Sequence, residues 1–169
     1  MNWMLKILLV TGLLLITSCM RFTFQGGTVP PEAQTLSVQT LFDDVGAGPP
    51  TLNITASEKF RDYFQRNTRL ALVKQDGDLQ FEGSIVGYDV QPVAPTAAEE
   101  QQAALQRLTI TLKIQYYNKF DEETNFDKNF SFFSDFDATA NLTDVEEELI
   151  EVILDQIVID IFNASVANW

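Results

Sequence analysis

The chain has 169 residues with 11 basic and 24 acidic side chains, a net charge of −13, one cysteine and no histidine. Such a charge repels nucleic acid and anionic membrane surfaces, which argues against both as bulk partners. The missing histidine removes the usual general base at neutral pH, every Ser-His or Cys-His nucleophile pair and the commonest transition-metal ligand, so an enzyme built on this chain would have only carboxylates to work with.

At the N-terminus, Lys6 precedes an apolar run from Ile7 to Ile16. That run is too short for a bilayer-spanning helix, which needs roughly 20 residues. It leads into Leu15-Ile16-Thr17-Ser18-Cys19, and this order of charge, short apolar segment and small residues before a lone cysteine reads as a bacterial lipoprotein signal. Residues 1–18 would be the signal peptide, and cleavage after Ser18 would leave Cys19 as the site of lipid attachment. An ordinary secretory signal with an incidental cysteine, or an uncleaved anchor, is the alternative. Acyl chains contribute about 0.8 kcal/mol per buried methylene, so more than one chain anchors stably. With the sole cysteine lipidated, neither a disulfide nor thiolate chemistry is expected.

Residues 19–33 read as a lipidated tether interrupted by Gly26-Gly27 and Pro30-Pro31, and residues 34–169 as a single domain. Thr35 to Phe42 alternates and predicts a strand with Leu36, Val38 and Thr40 on one face. After the turn-rich Asp43 to Pro50, a helix is expected from about Ile54 to Arg66, capped by Asn53 or Thr55, with Phe60, Tyr63 and Phe64 on one face. Arg69 to Lys74 is the next strand, and Asp76-Gly77 supplies a hairpin-type turn. Asp78 to Val90 alternates with Leu79, Phe81, Gly83, Ile85 and Gly87 pointing one way, the glycines suggesting a bend or bulge. Residues 91–102 would tip a hairpin. Leu105 to Phe120 is the strongest strand: Leu108, Ile110, Leu112, Ile114 and Tyr116 oppose Arg107, Thr109, Thr111, Lys113 and Gln115. One wet and one apolar face means a sheet covered on one side only. Phe126 to Phe136 alternates again, with Phe130, Phe132 and Phe136 inward and Phe133 outward. Thr143-Asp144-Val145-Glu146 has the form of a capping box and opens a long helix to about Asn163. The expected fold is α+β: a two-layer sandwich of a mostly antiparallel, four- to five-stranded sheet with two helices on one face.

Charge is unevenly placed. Lys59 to Lys74 holds five cations and one acid, whereas Asp121 to Asp160 holds thirteen acids and one cation. Solvated outer faces account for most of this; the sharper reading is a two-sided domain whose basic part meets an anionic ligand. Arg66 and Arg69 bracket a helix-to-strand turn and suit bidentate recognition of phosphate or carboxylate, the alternative being that Arg66 caps the helix C-terminus. The acidic groups Asp43/Asp44, Asp76/Asp78 and Asp121/Glu122/Glu123 fall in predicted turns and lack the spacing of a calcium loop, so neither a metal nor a cofactor is expected. Phe133, outward among polar neighbours, would suit a protein interface.

Several segments together resemble a known family: the lipoprotein signal followed by Arg21-Phe22-Thr23-Phe24-Gln25-Gly26-Gly27 and Val29-Pro30-Pro31; Asn67-Thr68-Arg69-Leu70; Asp78-Leu79 with Glu82-Gly83 and Gly87-Tyr88; Arg107-Leu108-Thr109-Ile110; Asp160-Ile161-Phe162-Asn163; and Asn168-Trp169. In order and spacing they look like LptE, the lipopolysaccharide-assembly lipoprotein, in its Bacteroidetes-type form. The resemblance implies a non-enzymatic outer-membrane lipoprotein that plugs the β-barrel protein LptD and helps it insert lipopolysaccharide into the outer leaflet. Binding of lipopolysaccharide is implied as well, and Arg66 and Arg69 are candidates for it by charge and place. Neither an aspartate nor an early acidic run follows Cys19, which by the same resemblance implies a lipid anchor facing the periplasm. Two rival readings are a periplasmic lipoprotein that binds a soluble ligand or polysaccharide, and a hydrolase with two acids about 5–10 Å apart in a cleft.

Overall fold

The computed structural model describes residues 29–93 and 104–166. The signal peptide, Cys19, the tether as far as residue 28, the hairpin tip at 94–103 and Asn168-Trp169 lie outside the described residues. Six strands and two helices follow in the order β1 (Thr35–Val38), β2 (Phe42–Asp43), α1 (Leu52–Asn67), β3 (Ala71–Val73), β4 (Leu79–Pro92), β5 (Leu105–Asn118), β6 (Phe126–Asp137) and α2 (Leu142–Ser165). They form one sheet ordered β3-β1-β4-β5-β6, with β2 also paired to β4.

The α+β class is as expected, but the sheet has six strands and is mixed. β4, β5 and β6 are antiparallel, while β3, β1 and β4 run parallel and β2 is parallel to β4. The parallel part follows from connectivity: α1 carries the chain the length of the sheet, so β3 must start at the same end as β1. Asp76-Gly77 is not a hairpin turn. β3 and β4 lie on opposite flanks of β1, and the chain between them crosses β1. The crossing is so close that a Cβ on Gly77 would lie 2.5 Å from the Ser37 amide nitrogen, and Asp76 turns with φ 55.

Asp78 fastens this crossing. Its Oδ2 accepts from the amides of Gln34 (3.0 Å) and Thr35 (3.1 Å) and from the Thr35 hydroxyl (2.8 Å). Those bonds, the Gln34 amide first, hold its carboxyl below the usual carboxylate range. A depressed pKa stabilises the fold above the unfolded value, near pH 4, and that contribution is lost as pH falls through the folded value. Asp78→Ala should therefore melt lower than the parent at pH 7, with the gap narrowing as pH falls below about 4 in paired thermal melts. A gap independent of pH would contradict this role.

The expected first strand is broken. β1 stops at Val38, Leu41 enters the core and gives its amide to Ser57 Oγ (2.9 Å), and β2 resumes alongside β4. Thr40 is exposed. In β4 the register shifts between Ile85 and Gly87, so Gly87 pairs with Thr111 on the wet face and Tyr88 with Ile110 on the inner one. Gly87 adjoins a bulge and Gly83 does not; the bulge exchanges the two faces of the strand beyond it, so Gly87 does not share the inner face of Leu79, Phe81 and Ile85 as expected.

Both helices cover the inner face. α1 buries Leu52, Ala56, Phe60 and Phe64. α2 buries Leu149, Ile150, Ile153, Leu154, Ile157, Val158, Ile161 and Phe162, a stripe two residues wide per turn. Val152 is exposed. Phe64 stacks on Phe60 (4.8 Å between centroids) and meets Phe81 (5.0 Å) and Phe162 (5.2 Å) edge-on, joining both helices to the sheet. Phe81 continues onto Tyr116 (4.7 Å), which stacks toward Phe126 (5.2 Å). Val29 and Ala33 already pack against this core.

Candidate functional site

Among the described residues neither helix covers the wet face of the sheet. Its side chains come from alternate positions of β4, β5 and β6, and they are paired across strands. Arg107 forms a fork with Asp135 (2.7 and 2.8 Å). Lys113 meets Asp127 (3.3 Å), Gln115 donates to the same carboxylate (3.2 Å), and the Thr111 and Ser131 hydroxyls bond at 3.0 Å. Asp135 is held below the usual carboxylate range by the Arg107 bond, and Arg107 is raised in turn. Phe133 does point outward, 42 % exposed, but it is not bare: the Arg107 guanidinium lies 3.6 Å from its ring centroid. The face is polar: two ion pairs cross it, Glu82 accepts from the Gln39 amide, and Asp89 is exposed with no ion pair among the described residues. Beside it, Phe42 is 68 % exposed on β2 and edges a cleft of about 290 Å³ shared with Glu82, Ser84, Lys113 and Gln115.

Both helices start at the same end of the sheet, and a second cleft of about 370 Å³ lies between their first turns, lined by Thr51, Thr55, Thr143, Glu146, Glu147 and Glu151. The three acids lie beyond the first turn of α2, whose acid is Asp144. Two of the three have partners: Glu151 lies 3.7 Å from Lys59, and Glu146 accepts from the Tyr88 hydroxyl. Burial, and then this bond, raise the Tyr88 pKa well above its ordinary value. Gly48 permits the arrangement, since it has φ +82 and a Cβ there would lie 2.7 Å from the Tyr88 ring. The capping box expected at Thr143 is therefore not formed. Asn141 caps the helix by accepting from the Thr143 amide, and Glu146 is committed to Tyr88 instead. Among the described residues no group of three or more acids or cysteines is placed to hold a metal ion.

The basic segment is mostly used within the fold. Lys59 bonds Asp155 and Arg61 bonds the β1 backbone, while Arg66 donates from Nε to the Asp62 carbonyl (3.2 Å). The Asn67 amide donates to the Tyr63 carbonyl and the Thr68 hydroxyl to the Phe64 carbonyl, closing the last turn of α1. Arg66 and Arg69 both stay exposed at the end where the chain enters the domain, and neither lines a cleft named here. At that same end, the Tyr116 hydroxyl is buried with no hydrogen-bond partner among the described residues, and burial pushes its pKa up to about 12. No described helix is long and apolar enough to cross a membrane.

Comparison with known proteins places this geometry. The model of a family described as LptE: Lipopolysaccharide-assembly matches residues 33–165. No curated protein matches the sequence. Among solved structures, a hypothetical protein from Chlamydia trachomatis aligns with TM-score 0.53 and 8% identity, covering 80% of this chain and 100% of its own. A protein from Xanthomonas campestris aligns with TM-score 0.50 and 12% identity, covering 80% and 87%. A minor lipoprotein from Acinetobacter baumannii aligns with TM-score 0.49 and 11% identity over 78% and 91%. At such identities the first two speak for the fold alone.

Proposed function

The chain belongs to the LptE lipopolysaccharide-assembly family, and from that premise we propose that it is an outer-membrane lipoprotein, anchored through Cys19, that plugs an LptD-type β-barrel and helps it deliver lipopolysaccharide to the outer leaflet. The observation that carries this reading is the extent of the family match, residues 33–165, which takes in both helices and all six strands. The wet sheet face supports it. A plug in a barrel is surrounded by a polar, hydrated wall, and a polar face that carries the pairs Arg107–Asp135 and Lys113–Asp127 beside exposed Glu82 and Asp89 suits such a hydrated space. The role is one of binding and positioning, not catalysis. Arg66 and Arg69, exposed at the end nearest the tether, are its candidate contacts to anionic lipopolysaccharide.

The test is purification of the lipidated protein from its own membranes. The reading predicts that an LptD-type barrel comes with it in near-equal amount. Recovery from detergent extracts with no barrel would overturn it.

A further inference from the structure

At the carboxyl ends of β1 and β3 the chain diverges: α1 carries it from beyond β1 to β3 on one flank, while β4 lies on the other. In open sheets, the crevice outside the carboxyl ends of parallel strands at such a switch point is where ligands bind. Here it is a groove of about 340 Å³ lined by Val38, Gln39, Thr40, Arg61, Lys74 and Gln75, with Leu72 and Val73 along one side. We propose that this groove binds a phosphate monoester dianion.

The charge is specific to the place. In a chain of net charge −13, two of its 11 cations line this one groove. Arg61 is fixed there by two bonds, Nε to the Val38 carbonyl (3.1 Å) and Nη2 to Thr40 Oγ1 (2.9 Å). Those bonds use two of the five guanidinium N–H groups and hold the rest in a set orientation, so little freedom is lost on binding. Lys74 makes no ion pair among the described residues. The Gln39 amide donates to Glu82, an acid that does not line the groove. A planar fork beside a mobile ammonium suits a group with about two negative charges and three acceptor oxygens better than a single carboxylate. Leu72, 38 % exposed, gives the ester's carbon end an apolar rest. The volume is at the small end for ligand sites, which fits a headgroup or a small ester. None of this depends on whether the chain meets a barrel.

The test titrates the purified full chain, in detergent, with glycerol 3-phosphate by calorimetry and amide NMR. One saturable site should appear, with shifts centred on Thr40, Lys74 and Gln75. Lys74→Glu, whose exposed side chain makes no ion pair among the described residues, should weaken binding at least tenfold, while Lys128→Glu, on β6 and outside the groove, leaves it unchanged. A second arm compares phosphatidylcholine vesicles with and without phosphatidic acid. Added attachment that glycerol 3-phosphate competes away assigns the site to a lipid headgroup, and its absence beside intact calorimetric binding assigns it to a soluble ester. No saturable binding at low salt, or binding unaltered by Lys74→Glu, overturns the proposal.

Discussion

Phe64→Ala should lower the unfolding free energy by about 3–5 kcal/mol, the range for truncating a buried phenylalanine, and the melting temperature by roughly 10 °C or more. Phe64 is fully buried and contacts Phe60, Phe81 and Phe162, so its ring is the contact shared by α1, β4 and α2. The surroundings cannot collapse easily into the gap, because the three neighbouring rings sit on three different elements. Urea unfolding of wild type and variant measures the difference directly. A loss under about 1 kcal/mol would mean that the two helices are not joined to the sheet through this cluster.

Gly83→Ala is the second large effect, and its sign is the informative part. Alanine in place of glycine within a strand ordinarily stabilises by about 0.5–1 kcal/mol, because glycine loses more freedom on folding. Here a Cβ would lie 2.2 Å from the Lys113 carbonyl oxygen and 2.9 Å from Ile114 Cδ1. The backbones of β4 and β5 would have to separate at the middle of their longest ladder, where Gly83 pairs with Ile114. The expected cost is about 3 kcal/mol, the upper part of the range for overpacking. The same urea unfolding measures it, and a stabilised variant would show that the two strands are not this close.

What could be read from the sequence was what depends on period. The alternation in β5 gave its buried residues one by one, from Leu108 to Tyr116, because a strand buried on one face leaves a period of two. Phe133 was legible as outward for the same reason. Its cover by Arg107 was not, since that contact depends on the register between β5 and β6, where Arg107 faces Asp135 and Thr109 faces Phe133. The capping box failed for a related cause. Thr143 and Glu146 had the right local spacing, but Glu146 had a partner 58 residues away in Tyr88, and Asn141 was a sufficient cap. Asp76-Gly77 has the chemistry of a tight turn in a hairpin or in a crossing over β1, and only the pairing of both flanks of β1 distinguishes them. Arg61 and Lys74 were counted among the basic residues yet never brought together, because they belong to different elements that meet only through the parallel pairing of β1 and β3.

The central claim is that this domain serves lipopolysaccharide delivery to the cell surface. Depleting the protein in its own cells, with surface lipopolysaccharide followed by labelling of intact cells, tests it most directly. The account predicts that surface lipopolysaccharide falls as the protein is lost and that a restored wild-type copy brings it back. Surface lipopolysaccharide that holds its level after complete depletion would contradict it.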